Sequence, residues 1–287
     1  MCSSDLLELQ HSIRGDLGRI YLDNRQYQDA VESLTPVCTG ERGAWWLHKL
    51  RAKAQFGLGH FEEALADLNT AIELKPDDMS TLGQIATDQV VECPDEAFRS
   101  GLLKLANRAV LLNSGSAFAY SVRAGILEAL GETTRALEDY TKAFEIDPDN
   151  GVVCNNFAWH LAKDPGVDIE SAKRAVDLAT KAASLQPAVG GHWNTLGVCQ
   201  FRTQDYVKAI QSLEKSEELG NQEYVAYNGF FLAMAYWHLN HKDEAGKWYD
   251  KSVDWMDKNQ PKNDELLRFR AEAEALMNDR SKNSDTP

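Results

Sequence analysis

Small residues return along this sequence at intervals close to 34 positions, and no other feature constrains the fold as strongly. The stretches GHFEEALADLNTAIELKPDD from Gly59 and GETTRALEDYTKAFEIDPDN from Gly131 share a leading Gly, two Ala seven residues apart and a Pro. The first Ala of each stretch, Ala64 or Ala136, belongs to a longer series in the same register. The other members of this series are Ala30, Ala175, Ala209 and Ala245. A period of this length predicts an array of stacked helical hairpins.

The spacing within the series sets the number of units. Ala30 and Ala64 are 34 residues apart, but 72 residues separate Ala64 from Ala136, which is room for two units and four extra residues. Leu102, 34 residues before Ala136, takes the place of the Ala in the unit between them. The sequence thus predicts a single solenoid over residues 1–280. We expect units near 11–40, 45–78, 79–114, 117–150, 151–188, 190–222 and 225–259, a capping helix at 263–278 and a disordered tail at 281–287.

The alternation of small and large residues has a physical reason in a helical hairpin. Two helices approach closely only where the side chains between them are small, and large residues such as Tyr140 and Tyr206 then fill the space beside the crossing. A Pro such as Pro148 cannot continue the second helix and directs the chain into the next unit. Each hairpin keeps an apolar face exposed until its neighbour stacks on it, so we expect stability to be shared along the array.

The first helix of several units carries a second motif, of the form L-G-x-x-Y or W-x-x-L-G. It occurs at Leu17-Gly18 with Tyr21 and at Trp193 with Leu196-Gly197, and Leu232-Ala233 with Tyr236 repeats it with Ala in place of Gly. With the repeated Ala, this motif resembles the tetratricopeptide repeat family over almost the whole chain. Arg51 departs from the pattern, because it stands where the second unit should have Leu. The resemblance implies an all-α, right-handed superhelical solenoid of about seven tetratricopeptide-like hairpins plus a C-terminal capping helix.

The charge balance argues against one class of partner. The chain has 30 Lys and Arg against 44 Asp and Glu, for a formal net charge of −14, and it contains no long run of basic residues. Nucleic-acid binding requires local positive charge that displaces counterions from phosphates. We therefore expect no nucleic-acid partner.

Cysteine usage and hydropathy predict a compartment. The five cysteines are scattered and form no CxxC pair, which indicates reduced structural thiols rather than a disulfide framework or a zinc site. No basic region followed by an apolar stretch opens the chain, and nowhere do 18 apolar residues run together. These features predict a cytoplasmic protein without a membrane partner.

A search for catalytic groups finds no converging set. His238 and His241 lie three residues apart, but HExxH spacing and a third ligand are absent. The GLGH sequence at Gly57 has no strand before it and is typical of a hairpin turn. Acidic pairs such as Glu62-Glu63 suit a helix N-terminus better than acid–base chemistry. The sequence predicts no enzyme, no cofactor and no metal site.

A narrower resemblance covers the second half of the chain. The run from VCNNFAWHLAKDPG through GHWNTLGVCQFRTQDYVKAIQSLEKSEELG to FFLAMAYWHLNHKDEAGKWYDKSVDWM resembles planctomycete-type tetratricopeptide regions. In that group the region often accompanies a serine/threonine kinase or WD-repeat domain. The kinase motifs are missing from this sequence, so kinase activity is not implied. What the resemblance implies is a second hypothesis, an accessory or regulatory subunit of a separate signalling enzyme such as a serine/threonine kinase.

The leading hypothesis is a protein-interaction scaffold that binds a peptide or partner protein in a concave groove. The resemblance implies a groove lined by the first helix of each unit, where Asn amides can bond an extended backbone and aromatic residues can receive side chains. The candidate residues are Asn155, Asn156, Trp159, Lys163, Asn194, Phe201, Arg202, Tyr227, Phe230, Phe231 and Trp237. Two simpler interpretations stay open. The Asn pair can solvate a helix start, and the aromatics of the seventh unit can pack under the C-terminal helix.

Overall fold

A computed structural model describes residues 3–38, 44–75, 95–220 and 224–278. Within these ranges the chain forms fourteen α-helices, one 3₁₀ turn at Thr35–Val37 and no strand, so the all-α prediction is confirmed. The helices are α1 (Ser3–Asp23), α2 (Tyr27–Leu34), α3 (Trp45–Gly57), α4 (Phe61–Leu74), α5 (Glu96–Leu112), α6 (Ala117–Ala129), α7 (Thr133–Ile146), α8 (Gly151–Ala162), α9 (Ile169–Leu185), α10 (Gly190–Arg202), α11 (Tyr206–Glu218), α12 (Val225–His238), α13 (Lys242–Asn259) and α14 (Asp264–Asn278).

Backbone contacts divide the chain into two compact units, Met1–Ile146 and Asp147–Pro287. The N-terminal unit contains the hairpins α1–α2, α3–α4 and α6–α7, with α5 between the last two. The C-terminal unit contains the hairpins α8–α9, α10–α11 and α12–α13, followed by α14. Most of the predicted first helix of the third hairpin and the predicted disordered tail at 281–287 lie outside the described residues.

The hairpin turns share one backbone conformation. Gly59 and Gly131 have φ of +76° and +78°, in the left-handed region that glycine adopts without strain. The equivalent place, five residues before the repeated Ala, is taken by Arg25, Gln204 and Asn240, whose φ values are +57°, +63° and +62°. The turn geometry is therefore kept in five hairpins although only two of them have glycine there.

The core of the N-terminal unit is built around the repeated small residues. Ala52, Ala64 and Ala106 are fully buried, and the rings of Phe56, Phe61 and Phe98 pack together with centroids 4.9–5.5 Å apart. The small residues let α3, α4 and α5 approach, and the three aromatic rings fill the space that remains.

Two hairpins of this unit contain the same ion pair. Arg51 donates from Nε and Nη2 to the two carboxylate oxygens of Asp67, at 2.7 Å each, and Arg123 makes the same two bonds to Asp139 at 2.6 and 2.7 Å. Both pairs join a first helix to its second helix across 16 residues of sequence. Arg51, which stands where the repeat pattern predicts Leu, therefore has a structural role. It joins α3 to α4 through a bidentate ion pair with Asp67.

In the C-terminal unit, the two helices of the α10–α11 hairpin approach closely at Gly197. A Cβ atom at this position would lie 2.5 Å from Cγ of Leu213 and 3.2 Å from the carbonyl oxygen of Ala209. Only a residue without a side chain fits between α10 and α11 at this separation, which is the close crossing that the repeated small residues predict.

Candidate functional site

The first helices of the C-terminal unit, α8, α10 and α12, face the terminal helix α14. We call the surface that they form the first-helix face. Phe269 of α14 is 1% exposed and packs against Trp159 of α8 and against Tyr227 and Phe231 of α12, with ring centroids 6.1, 6.1 and 4.9 Å apart. Leu266 and Ala273, on the same side of α14, are fully buried. The helix thus inserts an apolar stripe into an aromatic cleft between α8 and α12.

Arg202, at the end of α10, supplies the charged contact of this face. Its guanidinium forms a bidentate ion pair with Glu272 of α14, in which Nη2 lies 3.0 Å from Oε2. Nε and Nη2 also donate to the carbonyl oxygens of Ala162 and Lys163, at 3.0 and 3.2 Å. These carbonyls end α8, where the negative end of the helix dipole favours a cation. The Arg202 side chain, 6% exposed, therefore joins three helices of the unit.

Further polar contacts fix the two ends of α14. Near its start, Asn263 caps the helix by accepting from the Leu266 amide at 3.0 Å and donates to the Tyr227 hydroxyl at 3.3 Å. The Arg268 guanidinium pairs with Asp164 in the turn after α8. An open surface cleft of about 360 Å³ lies beside the later part of α14, and its lining includes Arg202, Tyr206, His238, Glu272 and Leu276.

The structure brings together five of the eleven predicted groove residues around α14. They are Trp159, Lys163, Arg202, Tyr227 and Phe231, of which Lys163 contributes its carbonyl oxygen. Phe201 extends this cluster, since its ring lies 5.4 Å from that of Phe231. Tyr227 and Phe231 of α12 thus pack under the C-terminal helix, as the simpler of the interpretations of these aromatic residues predicted.

Other predicted residues point elsewhere. Phe230 is fully buried and packs on Tyr249, 6.1 Å away, inside the α12–α13 hairpin. Asn194 is 2% exposed, and its amide donates to Oδ1 of Asn228 at 2.9 Å. Trp237 lies near the α12–α13 turn, with the Lys242 ammonium 5.1 Å above its ring. Asn194 is thus engaged in an internal polar network rather than presented to a guest.

Part of the first-helix face is partly exposed beside the start of α14. We call Asn155, Asn156, Trp159 and Tyr227 the Asn–aromatic surface; all four are half-buried. Asn155 donates to Oδ1 of Asn156 at 3.3 Å, while Oδ1 of Asn155 is itself buried and has no hydrogen-bond partner among the described residues. Asn amides beside aromatic rings offer hydrogen-bonding groups and apolar area on the same surface.

Sequence reasoning missed the residues of α14 that define this site, above all Phe269 and Glu272. The signal was present in the spacing of Leu266, Phe269, Ala273 and Leu276, which places them on one side of a helix. That spacing shows which side of α14 is buried. It does not show against which helices the side packs.

The described residues contain neither a metal-binding cluster nor a membrane-spanning helix. In ranges 3–38, 44–75, 95–220 and 224–278, no three His, Cys, Asp or Glu side chains come together in a way that would hold a metal ion. In the same ranges, every helix is too short or too polar to span a bilayer.

Comparison with known proteins supports the tetratricopeptide family. The model of the tetratricopeptide repeat matches residues 50–78, 119–150 and 230–258, which fall on the hairpins α3–α4, α6–α7 and α12–α13. A curated relative, the tetratricopeptide repeat-containing protein trd-1 of Caenorhabditis elegans, is 25% identical over 124 residues. This match covers 43% of the present chain but only 15% of that protein.

Solved structures support the fold. A tetratricopeptide repeat protein from Parabacteroides merdae superposes with a TM-score of 0.55 at 16% identity, over 92% of this chain and 99% of that one. PilF of Pseudomonas aeruginosa superposes with a TM-score of 0.51 at 16% identity, over 78% and 96% of the two chains. At this level of identity the likeness concerns the helical-repeat fold alone.

Proposed function

We propose that this protein is a non-catalytic scaffold that binds a segment of a partner protein on the Asn–aromatic surface of its C-terminal unit. The observation that carries the proposal is the grouping of two half-buried Asn side chains, Asn155 and Asn156, with the half-buried rings of Trp159 and Tyr227 on the first-helix face. An extended segment brings unpaired N–H and C=O groups, and the neighbouring Asn amides can bond both. Trp159 and Tyr227 offer rigid apolar area at a low cost in side-chain entropy.

The tetratricopeptide matches add support, because stacked helical hairpins form extended surfaces that commonly bind other proteins. The acidic balance of the chain, −14 overall, favours a guest with basic residues near its contact segment.

The test begins with the partner itself. We would identify it by affinity purification and mass spectrometry, and then measure its binding to the purified chain by calorimetry. The double substitution Asn155→Ala and Asn156→Ala should weaken binding at least 10-fold, because it removes both amides. Gln211→Ala, an amide truncation at an exposed position of α11, is the matched control and should leave the affinity unchanged. Equal affinity for the double variant and the wild-type chain would refute the proposed surface.

The alternative of an accessory subunit of a signalling enzyme rests on the planctomycete-type resemblance of the second half. It shares the scaffold chemistry and differs only in the partner, a separately encoded serine/threonine kinase. Purification of the chain with such a kinase, followed by a change in kinase activity on binding, would favour it. A kinase whose activity is the same with and without the chain would dismiss it.

A further inference from the structure

We propose that α14 is a displaceable occupant of the first-helix face, and that this face accepts in its place an amphipathic helix of a partner. The inference deepens the proposed function, on which it rests, because it names a second kind of guest for the same unit. The guest that fits carries an aromatic residue followed three positions later by a carboxylate. That is the pattern which Phe269 and Glu272 present in α14.

The contacts of α14 show what the face recognises. An aromatic side chain enters the cleft formed by Trp159, Tyr227 and Phe231, and a carboxylate meets the Arg202 guanidinium. The two features lie on one side of a helix, since residues three apart are neighbours on its surface. Insertion of the apolar face of a helix between other helices is a common mode of peptide recognition.

The face and its occupant are also suited to separation. Arg202 keeps its hydrogen bonds to the carbonyls of Ala162 and Lys163 when α14 leaves, so the cation is not left without partners. The α14 helix packs mainly on α12, and an open surface cleft of about 360 Å³ lies beside its later part, so one edge of the helix is not covered by the rest of the unit. Segments with few packed contacts open locally before the rest of a protein unfolds.

The composition of α14 favours its survival as a free helix in water. Outside its buried stripe, the segment DELLRFRAEAEALMN consists mainly of Ala, Glu and Arg, which have high helix propensity. Leu267, on the opposite side from Phe269, is already 41% exposed. Release of α14 therefore exposes mainly one apolar stripe, which a guest helix or the face itself can cover again.

The first experiment uses intramolecular competition in the full chain. The probe is a fluorescein-labelled synthetic peptide of residues 262–278, and binding is followed by fluorescence anisotropy. In the wild-type chain the tethered α14 competes at a high effective concentration, so the probe should bind weakly. Phe269→Ala with Glu272→Ala loosens the tethered helix and should tighten probe binding at least 10-fold. Leu267→Ala, on the exposed side of α14, should leave probe binding as in the wild-type chain.

The probe itself provides a specificity control. A peptide with Phe269→Ala, or one with Glu272→Ala, should lose most of its binding to the loosened chain. A loosened chain that is folded by circular dichroism but binds the probe no better than the wild-type chain would overturn the proposal. So would a loosened chain that no longer folds, because α14 would then be a permanent part of the core.

The second experiment needs no substitution. In the wild-type chain, amide hydrogen exchange of α14 should be at least 10-fold faster than that of α12, through local opening. Equal protection of α14 and α12 would show that α14 leaves only on global unfolding and would overturn the proposal. Neither experiment uses the partner, and neither changes Asn155 or Asn156. Failure here therefore leaves the Asn–aromatic surface standing, and failure of the Asn substitutions leaves the displacement of α14 standing.

Discussion

Asp67 lies at the centre of a buried polar cluster in the α3–α4 hairpin. Its carboxylate accepts two bonds from Arg51, and Oδ1 also lies 2.7 Å from Nδ1 of His48. Burial alone would raise the pKa of Asp67. The hydrogen bonds and charges of Arg51 and His48 outweigh burial, so the pKa lies below its ordinary value. The folded chain thus favours the charged carboxylate over the neutral acid.

Replacement of this carboxylate tests the cluster. Asp67→Asn should lower the free energy of unfolding by about 3 kcal/mol at neutral pH, because it leaves the half-buried Arg51 without a compensating charge. Urea denaturation followed by circular dichroism measures the loss. The control is Asp149→Asn, which changes an exposed carboxylate paired with Lys181, and it should have no measurable effect.

The same cluster predicts a pH dependence of stability. Because the pKa of Asp67 is lower in the folded than in the unfolded chain, its contribution is fully present above the ordinary pKa of about 4. The contribution disappears as the pH falls through the folded pKa. The stability difference between the wild-type chain and Asp67→Asn should therefore shrink below about pH 4. A difference that stays constant from pH 7 into the acid range would contradict this assignment.

Gln204 occupies the left-handed turn between α10 and α11 with φ of +63°. This conformation costs a residue with a side chain about 1 kcal/mol, and glycine adopts it without strain. Gln204→Gly should therefore raise the free energy of unfolding by about 1 kcal/mol. The reciprocal change Gly131→Ala, at an equivalent turn with φ of +78°, should lower stability by a similar amount. Calorimetry measures the change in stability of each variant. If both substitutions changed stability in the same direction, the strain argument would be contradicted.

At the scale of the helix pair, Gly197 sets the separation of α10 and α11. A methyl group at Gly197 would meet Leu213 at 2.5 Å, so Gly197→Ala should destabilise the chain by about 2 kcal/mol. Gly246→Ala in α13 is the matched control, because a Cβ there has no atom within 4 Å. The control should stabilise the chain by about 0.5–1 kcal/mol through helix propensity. Both values are measured by chemical denaturation, and a Gly197→Ala variant as stable as the wild-type chain would contradict the close crossing.

The regular helices were predictable from sequence because their signals are local and repeated. Ala64 and Ala136 belong to one register, and both are fully buried where a second helix crosses a first. Small residues at regular spacing allow one helix to cross another closely. The repeated Ala therefore indicates both where the helices lie and that each second helix packs on the first helix of its own hairpin. The boundaries of the seven predicted units remain a prediction.

The candidate site was less predictable, because it depends on contacts between distant residues. Asn194 and Asn155 look alike in sequence, yet Asn194 bonds Asn228, 34 residues away, and Asn155 stays half-buried. The position of α14 also depends on contacts between residues that are distant in sequence. Glu272 meets Arg202 across 70 residues, and nothing near either residue indicates the pairing. Periodicity identifies the buried side of a helix, but long-range packing selects its neighbour.

For the whole molecule, the division into two compact units predicts independent local stabilities. Arrays of repeats transmit stability mainly between nearest neighbours. Asp67→Asn should therefore accelerate amide exchange in α3 and α4 and leave α10 to α13 unchanged, whereas Gly197→Ala should do the reverse. Hydrogen-exchange mass spectrometry of both variants tests this. Uniform acceleration in both units would show that the chain unfolds as one cooperative body.

Because α14 covers the surface on which a guest helix would bind, it also affects the rate of association. If α14 has to depart first, the observed association rate rises with guest concentration only until departure becomes the slow step, and then reaches a plateau. The height of that plateau belongs to this chain alone and is the same for every guest. Stopped-flow traces for two unrelated guest helices would thus converge on one limiting rate. The rate at which α14 departs would then set the upper limit on the rate of assembly.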